Sequence, residues 1–188
     1  MKISFNIDYE TVFGEEILLN VVERVKNVKD KLSQFRMNNV HGKHWWYDLN
    51  KSASSQNSVI DYFYSVDCDG NEKRHEWLTQ PHRLEISADK GKSYKVFDRW
   101  IDIPEDSYLY SSAFTECVNK RELSTPLPSN FSRTLRLIVR APQLRDNKSL
   151  AIVGKDASLG AWDVFKAIPM CEHNYNEWVI DIDASTLK

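Results

Sequence analysis

A tryptophan on a glycine-punctuated loop is the residue of this chain best suited to binding chemistry. The stretch LAIVGKDASLGAWDVFKAIPM, residues 150–170, begins as an apolar run and delivers Trp162 in a tight Leu-Gly-Ala-Trp turn. A side chain of that size on a turn cannot be fully buried by its own loop. A flat aromatic face held there can cover the C–H face of a ligand ring, while polar neighbours bind the rim of that ring. The residue types therefore indicate ligand binding by stacking.

The other residues with chemical potential do not form a metal or catalytic motif. His41 and His44 in HGKH have too few companions for a zinc site, and this stretch is typical of a turn between strands. The segment Asp67-Cys68-Asp69-Gly70-Asn71 has its glycine two positions too early for a calcium loop, and no glutamate ends the frame. No nucleophile elbow, phosphate loop or dinucleotide fingerprint occurs, and no acidic pair stands out. The sequence thus predicts no catalytic residue, no metal and no cofactor.

The composition predicts a folded protein that binds neither nucleic acid nor a membrane. The chain has 188 residues, of which 41% are hydrophobic, and a formal net charge of −2. It therefore has enough apolar material for a core and lacks the basic excess of a nucleic-acid binder. No apolar run reaches the ~20 residues that span a bilayer, and the N-terminal residues MKISFNIDYE contain no apolar signal region. The cysteines Cys68, Cys117 and Cys171 are widely separated, which favours reduced thiols and a cytoplasmic location.

Short apolar segments separated by turns predict an all-β fold. The strand signals are the alternating sets Ile3–Ile7, Leu135–Val139 and Trp178–Ile182, the apolar runs Ile17–Val22 and Leu150–Val153, and the aromatic run Val59–Val66. Asp69-Gly70 follows the aromatic run as a hairpin turn signal. Strands of this length, with a turn about every ten residues, predict an antiparallel β-sandwich.

The sequence also contains an internal repeat. A shift of 133 residues lays Ile17–Leu49 on Leu150–Ile182 without a gap. Four residues of the first stretch then fall on identical residues of the second, namely Asp30, Met37, Trp45 and Asp48. The apolar positions also largely coincide, which favours two copies of one β-module.

The repeat predicts three parts of the chain. Residues 1–87 form the first sandwich, and residues 133–188 form a second copy that is truncated, since it stops part-way through the module. Residues 88–132 lie between the copies and are too aromatic for a free linker, so we expect them to pack back onto a module. The aromatic residues of this segment include Trp100, Tyr108, Tyr110 and Phe114.

These motifs resemble the starch-binding domain, which is family 20 of the carbohydrate-binding modules. VGKDASLGAW, followed by AIPM and EWVIDI, is similar to the family's apolar strand, its loop ending in Leu-Gly-x-Trp and its Trp-led strand. The first copy has the complementary half, because FGEEILL, IDYFYSV and EWLTQPHR resemble the family's other strand motifs. The resemblance implies an immunoglobulin-like antiparallel β-sandwich that binds α-1,4-glucans such as starch, glycogen or maltodextrin.

The arrangement of the two copies resembles a narrower group of proteins. Tandem modules with Arg99-Trp100 and Leu109–Phe114 between them are similar to the N-terminus of the plant disproportionating enzyme and its bacterial relatives. These are 4-α-glucanotransferases of glycoside hydrolase family 77, which transfer α-1,4-glucan segments between maltooligosaccharides. The resemblance implies that this chain is the non-catalytic, glucan-binding region of such an enzyme. Its implied partners are an α-glucan or maltooligosaccharide and a catalytic barrel that follows in the same chain.

The resemblance also implies glucan contacts in both copies. Trp162 occupies the position of the family's first contact tryptophan, and Trp77 occupies the position of the second one in the first copy. Phe63 replaces the family's strand lysine, and His82 replaces its sugar-binding asparagine. Phe13 stands where the family's second site has a tyrosine, and a phenylalanine can still stack there.

The departures in the first copy leave a second interpretation open. Lys29 occupies the position that Trp162 has in the second copy, so Trp77 is equally well explained as a glucan contact or as a core residue. In that interpretation the modules keep the fold, and their aromatic surfaces dock on the catalytic barrel or form a homodimer. Trp45 and Trp178 begin equivalent alternating strands and are predicted to be core residues.

Overall fold

The computed structural model contains β-strands and short 3₁₀ helices in two compact units. It describes residues 1–23, 31–52, 57–89, 91–111, 113, 129, 131–141, 144, 147–174 and 176–187. The two units are Met1–Ile103 and Pro104–Lys188. Across these described residues no α-helix occurs, and no helix is long and apolar enough to cross a membrane. The all-β prediction is confirmed.

The first unit is built from two sheets. Its strands are β1 (Lys2–Asp8), β2 (Glu15–Glu23), β3 (Lys31–Arg36), β4 (Asn38–Val40), β5 (His44–Asn50), β6 (Ser58–Cys68), β7 (Asn71–His75), β8 (His82–Ile86) and β9 (Tyr94–Asp98). One sheet has the order β4-β5-β1-β9, and the other has the order β3-β2-β6-β7 with β8 also paired to β6. Since β2 occupies one edge of β6, β7 and β8 follow each other along the opposite edge.

The two sheets of the first unit enclose its core. Alternate residues of the strands point inward, as the period of a half-buried strand requires. The buried core residues are Ile3, Phe5, Ile7, Ile17, Leu19, Val21, Met37, Trp45, Ile60, Tyr62, Tyr64, Val66 and Ile86. The β-sandwich predicted for this part of the chain is therefore confirmed.

The second unit repeats part of this arrangement. Its strands are β10 (Thr134–Arg140), β11 (Ala151–Ile152), β12 (Ile168–Pro169), β13 (Cys171–Asn174) and β14 (Glu177–Asp183). Its 3₁₀ helices are Ser107–Tyr110, Ala157–Leu159 and Val164–Lys166. The sheet orders are β10-β14-β13 and β11-β12, and a core of Met170, Trp178, Ile180 and Ile182 lies against them.

The registers of two strand pairs agree with the shift of 133 residues. In the first unit Leu18 pairs with Arg36, and in the second Ala151 pairs with Pro169, which are the residues 133 positions further on. The pairing of β4 with β5 recurs at the same shift as the pairing of β13 with β14. Strand β5 or β14 also pairs with β1 or β10 on its other side, and there the register differs by one residue from the shift of 133.

The contacts of the repeated methionines and tryptophans agree in the same way. The amide of Met37 donates a hydrogen bond to the carbonyl of Ile17 at 3.0 Å, and the amide of Met170 donates to the carbonyl of Leu150 at 2.8 Å. Trp45 is 1% exposed and its counterpart in β14 is 6% exposed. Both tryptophans are core residues, as the alternating pattern predicted.

The segment between the repeats is divided between the two units. Strand β9 lies in the predicted segment 88–132 and pairs in parallel with β1, so the first unit continues to Ile103. In the second unit the side-chain amide of Asn176 donates to the carbonyl of Leu109 at 3.5 Å. Residues 114–128, with Phe114 and Cys117, lie outside the described residues, and the three-part division at 87 and 133 stays a prediction.

Candidate functional site

The backbone around Trp162 takes a conformation that its residues rarely adopt. Gly160, Ala161 and Trp162 follow one another with φ of 83°, 51° and 61°. A left-handed conformation costs a residue with a side chain roughly 1–2 kcal/mol, and two such residues are adjacent here. Strain of this kind persists where the surrounding structure fixes it, and it is concentrated at functional sites.

Backbone hydrogen bonds hold this strained turn. The amide of Trp162 donates to the carbonyl of Gly154 at 2.8 Å, and the amide of Gly154 donates to the carbonyl of Leu159 at 2.8 Å. The Asp156 carboxylate accepts from the amide and the hydroxyl of Ser158, which fixes the start of the 3₁₀ helix Ala157–Leu159. These bonds close the loop of residues 153–167, named here the Trp162 loop, on itself.

Two glycines are required for this loop to close. A Cβ atom on Gly154 would lie 2.9 Å from Cδ1 of Leu159, and one on Gly160 would lie 2.8 Å from the carbonyl oxygen of Lys166. Gly160 also needs its positive φ, which a residue with a side chain adopts at a cost. The Leu-Gly-Ala-Trp motif is therefore explained by backbone geometry as well as by its tryptophan.

The Trp162 loop presents apolar side chains to solvent. Trp162 is 68% exposed, Val164 is 74% exposed and Phe165 is 100% exposed. Isolated exposed apolar residues are ordinary, but three within four positions of a fixed loop are a concentration of apolar surface that favours ligand binding. Sequence reasoning identified Trp162 and missed Phe165. The sequence did contain a signal for Phe165. It is a large aromatic residue in a loop, outside every alternating strand pattern.

Trp77 of the first unit lies in the protein interior. Its side chain is 8% exposed, and its amide donates to the carbonyl of Ile101 at 2.9 Å. Of the two explanations the sequence left open, this burial agrees with the packing one. Its role as a glucan contact stays a prediction that this geometry does not support.

His82 belongs to a buried polar network rather than to an open surface. Its Nε2 lies 3.1 Å from Oε1 of Glu76 and its Nδ1 lies 3.4 Å from Oδ1 of Asp98. Its ring stacks on Tyr62 with centroids 5.1 Å apart. Both ring nitrogens are thus engaged within the protein, which leaves the imidazole no nitrogen with which to bind a sugar hydroxyl in this arrangement.

The network continues through the two carboxylates. Glu76 is 1% exposed and accepts from the amides of Tyr64 and Ile101, both at 2.8 Å. Asp98 accepts from the hydroxyls of Tyr62 at 2.9 Å and Tyr64 at 2.8 Å. Burial raises the pKa of the Asp98 carboxyl and raises the pKa of the Tyr64 hydroxyl well above its usual value. The network joins β6 to the segment after β9. Its buried hydrogen bonds account for these residues as contributors to the stability of the first unit.

The two remaining predicted contacts lie apart from this network. Phe63 is half-buried on the outward face of β6 and meets the ring of His75 edge to face, with centroids 6.5 Å apart. Phe13 is fully exposed in the turn before β2, beside Gly14 with its φ of 86°. The structure therefore places His82 against Glu76, Phe63 on β6 beside His75 and Phe13 in the turn before β2.

The histidine and aspartate motifs occupy turns. His41 lies in the turn between β4 and β5 with a φ of 56°, and the Nδ1 of His44 lies 2.6 Å from the Asp8 carboxylate. The Asp67 carboxylate accepts from the amide of Gly70 at 2.8 Å in the hairpin between β6 and β7, as the turn signal predicted. Within the described ranges, no group of three or more His, Cys, Asp or Glu side chains is arranged to hold a metal.

Comparison with known protein families assigns the part of the chain that contains the Trp162 loop. Residues 134–187 match the model of the starch binding domain. The match begins at the first residue of β10 and includes all the strands of the second unit. No curated protein matches the chain. Residues 134–187 are therefore similar to a starch-binding module, and the match implies an α-glucan ligand for this part of the chain.

Proposed function

We propose that this chain binds α-1,4-glucans through the Trp162 loop of its second unit. The observation that supports this most strongly is an exposed tryptophan on a strained, hydrogen-bonded loop inside the segment that matches the starch binding domain. The indole covers the C–H face of a glucose unit, and the polar groups of the loop bind the hydroxyl rim.

The expected affinity of one such site is low. Burying about 100 Å² of indole face at ~25 cal/mol per Å² gives roughly 2–3 kcal/mol before costs. Losses of rigid-body freedom and of ligand flexibility remove much of that gain. We expect a dissociation constant of about 0.1–1 mM, and a second site on the same chain would add avidity.

Retardation on an amylose affinity gel tests this proposal. The wild-type chain should be retarded in proportion to the amylose in the gel, and Trp162→Ala should run as it does without amylose. Phe97→Ala is the matched control, because Phe97 is 69% exposed on the first unit and lies outside the loop. A wild-type chain that amylose does not retard would contradict the proposal.

We also propose that the chain is the glucan-binding region of a cytoplasmic 4-α-glucanotransferase. The support is the resemblance of the segment around Arg99-Trp100 and Leu109–Phe114 to that enzyme family, together with two units that share one strand register. A longer protein that contains this chain should release glucose from maltotriose by transfer, while the chain alone should not. Release of glucose by the purified chain itself would overturn the non-catalytic assignment.

A second function is favoured for the first unit. Trp77 is buried and His82 is bound to two carboxylates, so the residues there that match the family serve packing. Lys29, at the position of Trp162, lies outside the described residues. We propose that the first unit acts as a docking or dimerisation module. The molar mass of the chain in solution should then rise with protein concentration, and it should not change when maltoheptaose is added.

A further inference from the structure

Phe165 has no structural role that its surroundings explain. Its side chain is 100% exposed, although it lies on a loop whose backbone is fixed. It does not belong to the core cluster of the second unit. A phenylalanine that contributes nothing to a core leaves its full apolar surface in water, which is unfavourable unless a ligand covers it.

The repeat shows that this exposure is a property of the position. Phe165 lies 133 residues after Leu32, which belongs to β3 of the first unit. Leu32 is 52% exposed although β6 completes the sheet in that unit. In the order β3-β2-β6-β7, β3 is at the edge of the sheet and β6 is on the other side of β2. Strand β6 therefore does not cover Leu32. Phe165 lies in the 3₁₀ helix Val164–Lys166 just before β12, which is the counterpart of β3.

The backbone between Trp162 and Phe165 is held by short hydrogen bonds. The amide of Asp163 donates to the carbonyl of Gly160 at 2.9 Å, and the Asp163 carboxylate accepts from the amide of Phe165 at 3.1 Å. The amide of Lys166 then donates to the carbonyl of Asp163 at 2.9 Å. Three residues of chain span at most about 11 Å between the Cα atoms of Trp162 and Phe165, so the fixed loop presents both residues within a short stretch.

We propose that Phe165 is a second stacking surface of the glucan site. Trp162 and Phe165 then bind different glucose units of the same α-1,4-glucan chain from one loop, and the site prefers chains long enough to reach both rings. This inference rests on the proposed function, because it assumes that Trp162 binds the glucan. Both rings are on one rigid loop, so a glucan that already binds Trp162 loses less conformational entropy when it also contacts Phe165.

Titration calorimetry of the full chain with maltoheptaose and with maltose tests the inference. Phe165→Ala should weaken maltoheptaose binding about tenfold and weaken maltose binding much less, since one stacking contact is lost. Phe165→Tyr should restore maltoheptaose affinity to within about twofold, because the ring is kept. Leu32→Ala, at the matched position of the first unit, should leave both affinities unchanged. Thermal unfolding of each variant establishes that the fold is retained.

The possible results separate this inference from the proposed function. If Trp162→Ala abolishes binding and Phe165→Ala binds maltoheptaose as the wild type does, the second stacking surface is wrong and the proposed function stands. If the wild type binds neither sugar, the proposed function fails and the inference fails with it. If Phe165→Ala lowers only the solution mass of the chain, Phe165 is a contact between copies and the inference is overturned.

Discussion

The two units share the registers of two strand pairs and differ in the exposure of their aromatic residues. In the first unit β6 contributes Ile60, Tyr62, Tyr64 and Val66 to the core, and Trp77 is buried beside it. The second unit, over its described residues, has strands that correspond to β1–β5 alone, and it presents Trp162 to solvent. The same strand arrangement therefore buries its matching tryptophan in the first unit and exposes Trp162 in the second.

If the proposed function is right, the loop rather than the sandwich determines binding. The pairing of β2 with β3 and that of β11 with β12 coincide residue for residue at the shift of 133. What changes is the connection between the two strands, which in the second unit carries the glycines and the aromatic residues. A function assigned to one unit therefore cannot be assigned to the other unless the second unit has the same loop residues.

The largest expected effect is on the packed module. Glu76→Ala removes the acceptor of two buried amides and of one imidazole nitrogen, so it should lower the free energy of unfolding of the first unit by about 3–5 kcal/mol. Urea denaturation measures the loss. Glu72→Ala, on the exposed strand β7, is the control and should change stability by less than about 0.5 kcal/mol. Similar losses for both variants would contradict the role of the network.

A smaller effect is expected on the binding loop. Gly160→Ala places a Cβ atom 2.8 Å from the carbonyl oxygen of Lys166 at a φ of 83°, so the loop must shift. We expect a loss of about 2 kcal/mol in the second unit and weaker glucan binding, because Trp162 is displaced. Gly70→Ala is a control with a positive φ and open space around it. Unchanged glucan affinity in Gly160→Ala would show that the position of the loop is not critical.

The paired core tryptophans give a finer comparison. The indole nitrogen of Trp45 donates to the carbonyl of Tyr9 at 3.1 Å, whereas the buried indole nitrogen of Trp178 has no partner among the described residues. Trp45→Phe should therefore cost about 1 kcal/mol more than Trp178→Phe, since only the first removes a hydrogen bond. Thermal unfolding of the two variants measures the difference, and an equal or reversed order would contradict it.

The smallest effect concerns the pH dependence of the first unit. Because burial raises the pKa of Asp98 above the 3.8 of an ordinary aspartate, the folded state binds its proton more tightly than the unfolded state. The contribution of Asp98 to stability is complete below pH 3.8 and is lost as the pH rises through the raised pKa. The stability of the wild type relative to Asp98→Asn should accordingly fall as the pH rises from 3.8. A difference that is constant with pH would contradict this.

The strands and the repeat were predictable because they depend on local periodicity. Alternation such as that of Ile3, Phe5 and Ile7 reports which face of a strand is buried, and a gapless shift reports a shared register. The parallel pairing of β9 with β1 was not predictable, because edge pairing between distant segments leaves no local pattern. For this reason the sequence pattern did not indicate that the segment after β8 adds a strand to the first unit.

The candidate site was predictable in part for the same reason. Trp162 was identifiable from its glycine-bounded turn, whose geometry depends on residues next to it in sequence. The burial of Trp77 was not, because burial depends on which distant segments pack against a residue. The amide of Trp77 bonds to one such segment, at the carbonyl of Ile101. The exposure of Phe165 was missed because sequence shows an apolar residue and does not show whether anything covers it.

The central claim is that the second unit carries the glucan site, and one titration tests it most directly. Calorimetry of the full chain with maltoheptaose should give a saturable isotherm with about one site per chain, and Trp162→Ala should give none. An isotherm that Trp162→Ala leaves unchanged would contradict the account and would place the binding site elsewhere in the chain.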